Sequence, residues 1–257
     1  MPVRSVFSFL LTLVIYSTNS QQNRQVGGLP PQNNTLFEHV GDIPLPPPYR
    51  RVQKPADCFA TWLRAISLKR DKTVYLYDGT KKTNQSAQFA VLDVPVGDRD
   101  LQQCADAVMR LRAEFLLSAG RTSEICFTDN AGGKYHCPPS PDRRQFQAYL
   151  ERVYSFCGTS SLSKQLKSLK NPDSIQPGDV LIKGGSPGHA VIVMDVAENK
   201  DGKKLFLLAQ SYMPAQSVHI LINPIDPMLS PWYQLESSHG SISTPEWIFK
   251  TNQFKTW

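Results

Sequence analysis

After its N-terminal segment, the 257-residue sequence has no run of the ~18 apolar residues that a membrane helix needs. A helical membrane protein is therefore not expected once that segment is removed. No Cys-x-x-Cys pair occurs, and no cluster of His, Cys or carboxylates has zinc spacing. Neither a metal centre nor any other cofactor is expected. There is no long basic run and no basic stripe interleaved with aromatics. The 28 Lys and Arg against 22 Asp and Glu give a formal charge of +6, scattered as Arg50-Arg51, Lys81-Lys82, Arg143-Arg144 and Lys203-Lys204. Nucleic-acid binding is not expected. A basic exported protein suits anionic polymers such as cell-wall material, although scattered charge also serves solubility. No internal repeat is visible.

What is present begins with an export signal. Met1-Pro2-Val3-Arg4 gives a weakly basic start, Val6 to Tyr16 is apolar, and Thr18 and Ser20 are small residues before Gln21. Residues 1–20 therefore read as a secretory signal peptide, too short to span a bilayer. Residues 21–48 are rich in Gln, Asn, Gly and Pro and end in Pro46-Pro47-Pro48. They read as a flexible leader with a stiff, extended end. Residues 49–257 are left as a single globular domain. The protein is expected outside the cell, with no membrane span after signal cleavage.

Export changes the meaning of the cysteines. There are five: Cys58, Cys104, Cys126, Cys137 and Cys157. In an oxidising compartment an odd number leaves at least one unpaired within the chain. Cys126 and Cys137 flank a polar, Gly-rich loop, so a local disulfide between them is the simplest expectation. A Cys58–Cys157 pair stays open. Asn33-Asn34-Thr35 and Asn84-Gln85-Ser86 are glycosylation acceptors, at Asn33 and Asn84, if the host exports through an endoplasmic reticulum.

Periodicity gives the elements. Asp57 to Leu68 reads as a helix capped by Asp57, with Phe59, Trp62, Leu63 and Ile66 on one face. Val74 to Tyr77 reads as a strand entering the Asp78-Gly79 turn, and Gln88 to Val94 as its return. Asp100 to Ser118 is the clearest helix, with Asp100 and Gln103 resembling a capping box and Gly120 closing it. Cys104 lies in its first turn. There, free N–H groups and the helix dipole would lower a thiol's pKa. A small cysteine packed under the helix is the alternative. Ser140 to Cys157 and Ser160 to Leu169 read as further helices. Val218 to Ile222 and Pro245 to Phe249 read as strands, with His219 at an edge.

The stretch from Gln176 to Gln210 reads as three strands. Val180 to Ile182 leads into the loop Gly184-Gly185-Ser186-Pro187-Gly188, where Gly and Pro set the turn. His189 opens the apolar run Ala190 to Met194. The turn Asn199 to Lys204 leads to Leu205–Ala209, and Gln210 ends that strand. Antiparallel neighbours of this kind can bring His189 and Gln210 together. A cysteine hydrolase needs a nucleophilic thiolate, an imidazole and a polar group that orients the imidazole. Cys104, His189 and Gln210 supply them in that order. Helix N–H groups can stabilise an oxyanion. A structural histidine at a strand start is the alternative for His189.

These residues carry a resemblance. Gln103-Cys104 before a helix, Gly178 to Ile182, Gly188 to Val193, and Ala209-Gln210-Ser211 resemble the NlpC/P60 and CHAP amidase–peptidase superfamily. The resemblance implies an α+β, papain-like fold with an antiparallel sheet and packed helices. It implies Cys104 as nucleophile, His189 as base, Gln210 as orienter, and Gln103 as an oxyanion donor or a helix cap. A second resemblance spans most of residues 49–257. Ala60 to Arg64, Val74 to Gly79, Arg99 to Glu114, Gly184 to Asp195, Leu205 to Gln216 and Ser230 to Tyr233 are similar to the domain of unknown function 4846 family. It implies a secreted or lipoprotein-like domain and no particular chemistry. The leader here lacks a lipobox cysteine. The expected function is thus a secreted thiol hydrolase cutting an amide bond, as in peptidoglycan-type peptides. The alternative is a non-catalytic binding domain for an extracellular glycan or peptide, with Tyr75, Tyr77, Asp78, Tyr212 and Trp232 lining a cleft.

Overall fold

The run from His189 to Ala197 is apolar at nearly every position, as befits a strand covered on both faces. It belongs to the longest strand of the computed structural model, which describes Met1, residues 37–235 and residues 240–257. The segment expected to be a signal peptide beyond Met1, the expected leader up to residue 36 and the Asn33 acceptor lie outside the described residues.

In chain order the strands are β1 (Arg50–Arg51), β2 (Gln88–Val91), β3 (Cys126–Thr128), β4 (Lys134–His136), β5 (Lys167–Ser168), β6 (Val180–Lys183), β7 (His189–Glu198), β8 (Lys204–Gln210), β9 (His219–Leu221), β10 (Tyr233–Gln234), β11 (Ser241–Ser243), β12 (Ile248–Lys250) and β13 (Phe254–Thr256). The helices are α1 (Phe59–Arg64), α2 (Cys104–Ser118), α3 (Arg143–Phe156) and α4 (Thr159–Gln165). The fold is α+β. One antiparallel sheet follows the path β2-β9-β8-β7-β6-β13-β5, with β1 added to β7 and β10 to β8. β3-β4 and β11-β12 are separate hairpins.

The sheet divides two apolar layers. Val180, Ile182, Ala190 and Ile192 meet Val108, Leu111 and Phe115 of α2 and Phe146, Leu150 and Val153 of α3. Leu181, Val191 and Val193 meet Phe206, Leu208 and Phe254, together with Ile242 and Phe249 of the β11-β12 hairpin. Burying each such side chain stabilises by ~1.5–3 kcal/mol. The register β6–β7 runs unbroken from Val180 opposite Ile192 to Lys183 opposite His189. In β7–β8 a bulge falls between Val193 and Asp195. It accompanies a charge at full burial: Asp195 accepts from Arg51 Nε at 2.7 Å and Arg64 Nε at 2.6 Å.

α2 begins four residues later than its polar start suggests. Gln103 has an extended backbone and stands as N-cap. Its N–H donates to the Asp106 carboxylate at 3.0 Å, and its side-chain N–H donates to Asp100 at 3.1 Å. Asp100 also accepts the Ala215 N–H at 2.6 Å, so the cap is tied to the end of the sheet. Cys104 is therefore the first helical residue. α3 starts on a reciprocal capping box: the Asp142 side chain accepts from Gln145 N, and the Gln145 side chain accepts from Asp142 N.

Three expectations need correction. Val74 to Tyr77 forms isolated bridges, Tyr75 with Lys81 and Leu76 with Gln216, and the Val74 and Tyr75 N–H groups turn to the side chains of Gln85 and Ser217 rather than to a partner strand. Cys58, not Asp57, is the N-cap of α1. Val40 and Ile43, inside the stretch read as leader, are fully buried. Pro44 accepts the Trp232 indole N–H at 2.7 Å, Ile43 accepts from Arg51, and Glu38 and Val40 bond the backbone of Leu68 and Ile66, so this segment is seated on the domain. No helix among the described residues is long and apolar enough to cross a membrane.

Candidate functional site

A cavity of about 440 Å³ opens where the N-terminus of α2 meets the β6–β7 loop. Cys104, His189 and Tyr212 line it, with Gln103 and Asp106 on one side and Trp247 on the other. Local sequence explains this placement. The extended Gln103 starts the helix at Cys104. Gly184 to Gly188 turn the chain so that β7 begins at His189 on the same rim.

His189 is buried, and its Nε2 lies 2.8 Å from Gln210 Oε1. Tyr212, Trp247 and Phe249 surround the ring, with centroids 4.7, 5.4 and 5.7 Å away. Burial pushes its pKa down to about 4, although the Gln210 bond and Glu246 favour the charged form. The imidazole is thus neutral at pH 7. Behind it, Gln210 Nε2 donates to Glu246 Oε2 at 2.7 Å and lies 3.4 Å from His219 Nε2. Lys82 Nζ and Asn84 Nδ2 also donate to Glu246, at 2.6 and 3.3 Å.

Cys104 is half-buried, and its sulfur faces the Ala190 N–H, one residue from His189. Burial pushes the thiol up to about 11, and the Ala190 N–H opposes this. Burial therefore outweighs the helix N-terminus, contrary to the sequence expectation of a lowered pKa. Among the described residues no hydrogen bond joins the sulfur to the His189 ring. Gln103 acts as a cap: one of its amide N–H groups serves Asp100 and its backbone N–H serves Asp106. The first N–H groups of α2 have no intrahelical carbonyl to bond, and those of Cys104 and Ala105 face the Cys104 thiol.

The binding residues expected from sequence divide. Tyr212 lines the cavity. Tyr75 and Tyr77 are half-buried elsewhere, and Tyr75 OH donates to Asp71 at 3.3 Å. Asp78 is exposed and closes its own turn by accepting from the Thr80 N–H and hydroxyl, which holds its carboxyl below the usual range. Trp232 is a correction: only 1% exposed, it fills the core under Arg51 and has no face for a ligand.

The disulfide is a second correction. All five cysteines are free thiols. Cys126 pairs with His136 across β3-β4, and its sulfur lies 3.7 Å from His136 Nε2. Cys137, one residue on, points to the other face of the ribbon, because strand side chains alternate. The hairpin itself thus keeps the two sulfurs apart. Asn84 is half-buried, and its amide nitrogen, the atom a glycan would take, is engaged with Glu246. His219, expected at an edge, is fully buried beside Gln210. No group of three or more His, Cys, Asp or Glu among the described residues could hold a metal ion.

Nothing in the sequence marks Glu246, Lys82, Asn84 and Trp247 as neighbours of His189. Each is a lone polar or aromatic residue in a turn, far along the chain from His189. Only the approach of the β11-β12 hairpin unites them.

The family model described as "Domain of unknown function (4846)" matches residues 41–138 and 133–256, and the chain belongs to that family. No curated protein and no solved structure matches the chain.

Proposed function

We propose that this member of the domain of unknown function 4846 family is a secreted thiol hydrolase of papain-like, NlpC/P60-type arrangement that cleaves an amide bond, with peptidoglycan-type peptides as the substrate class. One observation carries the reading: the Gln210-anchored imidazole of His189 shares an open cavity with Cys104, the first residue of a long helix.

In this reading His189 takes the Cys104 proton through the nitrogen that Gln210 leaves free. The sulfur attacks the amide carbonyl, and the oxyanion meets the unpaired N–H groups at the start of α2. The imidazolium then protonates the leaving amine, and water releases the acyl group. Both partners rest neutral, since burial disfavours either charge alone. Proton transfer creates both charges together, so each offsets the other's cost.

The test is alkylation of the unfolded-control and folded protein, mapped by mass spectrometry, with turnover of synthetic cell-wall peptides measured alongside. Mapping is essential because Cys58 competes: burial alone would raise its pKa, but Thr61 hydrogen bonds bring it below the usual value. Loss of turnover in Cys104→Ala and His189→Ala, with Cys104 labelling slowed in His189→Ala, supports the hydrolase. Labelling of Cys104 that ignores His189, with no turnover, overturns it. The aromatic side chains around His189 would then favour the second reading, a binding site for a glycan or peptide.

A further inference from the structure

We propose that Glu246 and His219 are positioning residues: together they fix the Gln210 amide in one orientation, and so hold His189 as the tautomer protonated on Nε2 with Nδ1 free to accept a proton. The consequence for rate rests on the thiol-hydrolase reading above; the tautomer does not.

Groups that can play only one part in a hydrogen bond fix the donors and acceptors of the rest of the network. Lys82 Nζ only donates, and it lies 2.6 Å from Glu246 Oε2. Asn84 Oδ1 accepts the Ser86 N–H at 3.0 Å, which turns its NH2 toward Glu246 Oε1. Glu246 is therefore surrounded by donors and is itself an acceptor-only carboxylate. Gln210 must turn its NH2 to that carboxylate, at 2.7 Å.

A second, independent chain reaches the same result. The Ser217 carbonyl only accepts, and it lies 2.8 Å from His219 Nδ1. Neutral His219 must carry its proton there, and burial keeps it neutral at pH 7. Its Nε2 is then a lone pair, 3.4 Å from Gln210 Nε2. A flipped Gln210 would set its carbonyl oxygen against both the carboxylate and this lone pair. The orientation seen faces neither clash, and each amide proton has an acceptor.

Gln210 Oε1 is what remains for His189, at 2.8 Å from Nε2. An oxygen with lone pairs there requires Nε2–H. The neutral ring then has its lone pair on Nδ1. A network built from three strands and the loops beside them thus selects one of two tautomers that a plain strand histidine would exchange freely. Lys82 and Glu246 have side chains only 10% and 14% exposed, so water competes weakly for these bonds.

The test is long-range proton–nitrogen NMR of the histidine rings in the folded, full-length mature protein at pH 7. The expected result in wild type is His189 protonated on Nε2 and His219 protonated on Nδ1. A His189 protonated on Nδ1 overturns the proposal, with no variant needed. In the double variant Glu246→Leu/His219→Leu both acceptors that orient the Gln210 NH2 are gone, so His189 is expected to show both tautomers. Cys104 alkylation should then slow by about 10-fold or more, part of the ~10²–10⁴ that a positioned base contributes. A folded double variant with His189 still wholly on Nε2 also overturns the proposal. An Nε2-protonated wild type with an inert Cys104 would keep the lock and reject the hydrolase.

Discussion

His189 and Gln210 meet at 2.8 Å because β7 and β8 pair Ile192 with Ala209, which sets Gln210 diagonally across from the ring. The bond ties an imidazole at a strand start to the end of the next strand. Gln210→Ala removes the acceptor and frees the ring to turn or change tautomer. Cys104 labelling and peptide turnover should both fall by ~10- to 100-fold, within the range a positioned base supplies. Rates measured beside a thermal melt separate this from unfolding. A folded Gln210→Ala with unchanged labelling would show that Gln210 does not orient the base.

Two buried histidines make a prediction about acid. Burial lowers both His189 and His219 from 6.5 to about 4. The unfolded chain therefore binds protons first as pH falls. The stability is full above pH 6.5 and is lost between 6.5 and 4. Each shift corresponds to roughly 3 kcal/mol. In urea unfolding at stepped pH these two rings should add close to two protons to the slope of stability against pH across this window, against the opposite contribution of Asp106. His219→Gln should reduce that slope by about one proton. A His219→Gln slope equal to that of wild type would contradict the neutral, buried state of the His219 ring.

Asp106 acts with the opposite sign. It is buried, one of its oxygens has no partner, and burial raises its carboxyl well above 3.8. The folded protein keeps the proton while the unfolded chain loses it. Stability is therefore present at low pH and declines as pH rises above 3.8. Asp106→Asn keeps an acceptor for the Gln103 N–H and removes this penalty. The variant should gain stability at neutral pH relative to pH 4, compared with wild type. The measurement is the difference in unfolding free energy at the two pH values. No change between variant and wild type would mean that Asp106 is ionised in the fold.

Much of the scaffold is legible in the chain because local rules and tertiary packing agree there. The Gly-Ser-Pro-Gly stretch before His189, the unbroken apolar run after it and the turn before Lys204 suffice to give β6, β7 and β8. They also suffice to bring Gln210 near His189. Cys104 at a helix start is equally local, since Gln103 and Asp106 cap α2 within one turn. The thiol's raised pKa is not local, because it depends on how much of α2 the sheet covers. Glu246 reaches Gln210 across 36 residues, and Lys82 reaches Glu246 across 164. No periodicity encodes such pairs. Trp232 shows the converse: an aromatic that suits a cleft by type is drawn into the core by its size and by Pro44.

Asp195 supports a prediction about the domain's N-terminal edge. Its carboxylate is fully buried between Arg51 and Arg64, and Arg51 in turn donates to the Ile43 carbonyl. Removing one member of a buried pair strands the other charges without water. Asp195→Ala should destabilise by ~3–5 kcal/mol. Limited proteolysis should then cut first near Ile43 to Arg51, where the contact is lost. A loss below ~1 kcal/mol would mean that water replaces the carboxylate, as at a surface pair.

Gly188 stands directly before His189, and no side chain fits there. A Cβ would meet the Thr159 hydroxyl and the carbonyl oxygens of Gly185 and Lys183, the last at 2.8 Å. Two of these atoms are backbone, so the loop itself must move. Gly188→Ala should shift the start of β7, lengthen the His189–Gln210 bond and slow Cys104 labelling more than it lowers the melting temperature. Gly202→Ala is the control. Its added Cβ would meet nothing within 4 Å, but its φ of +76° strains any side chain. It should therefore lower stability without touching the thiol. Equal labelling rates in the two variants would mean that the β6–β7 loop does not set the position of His189.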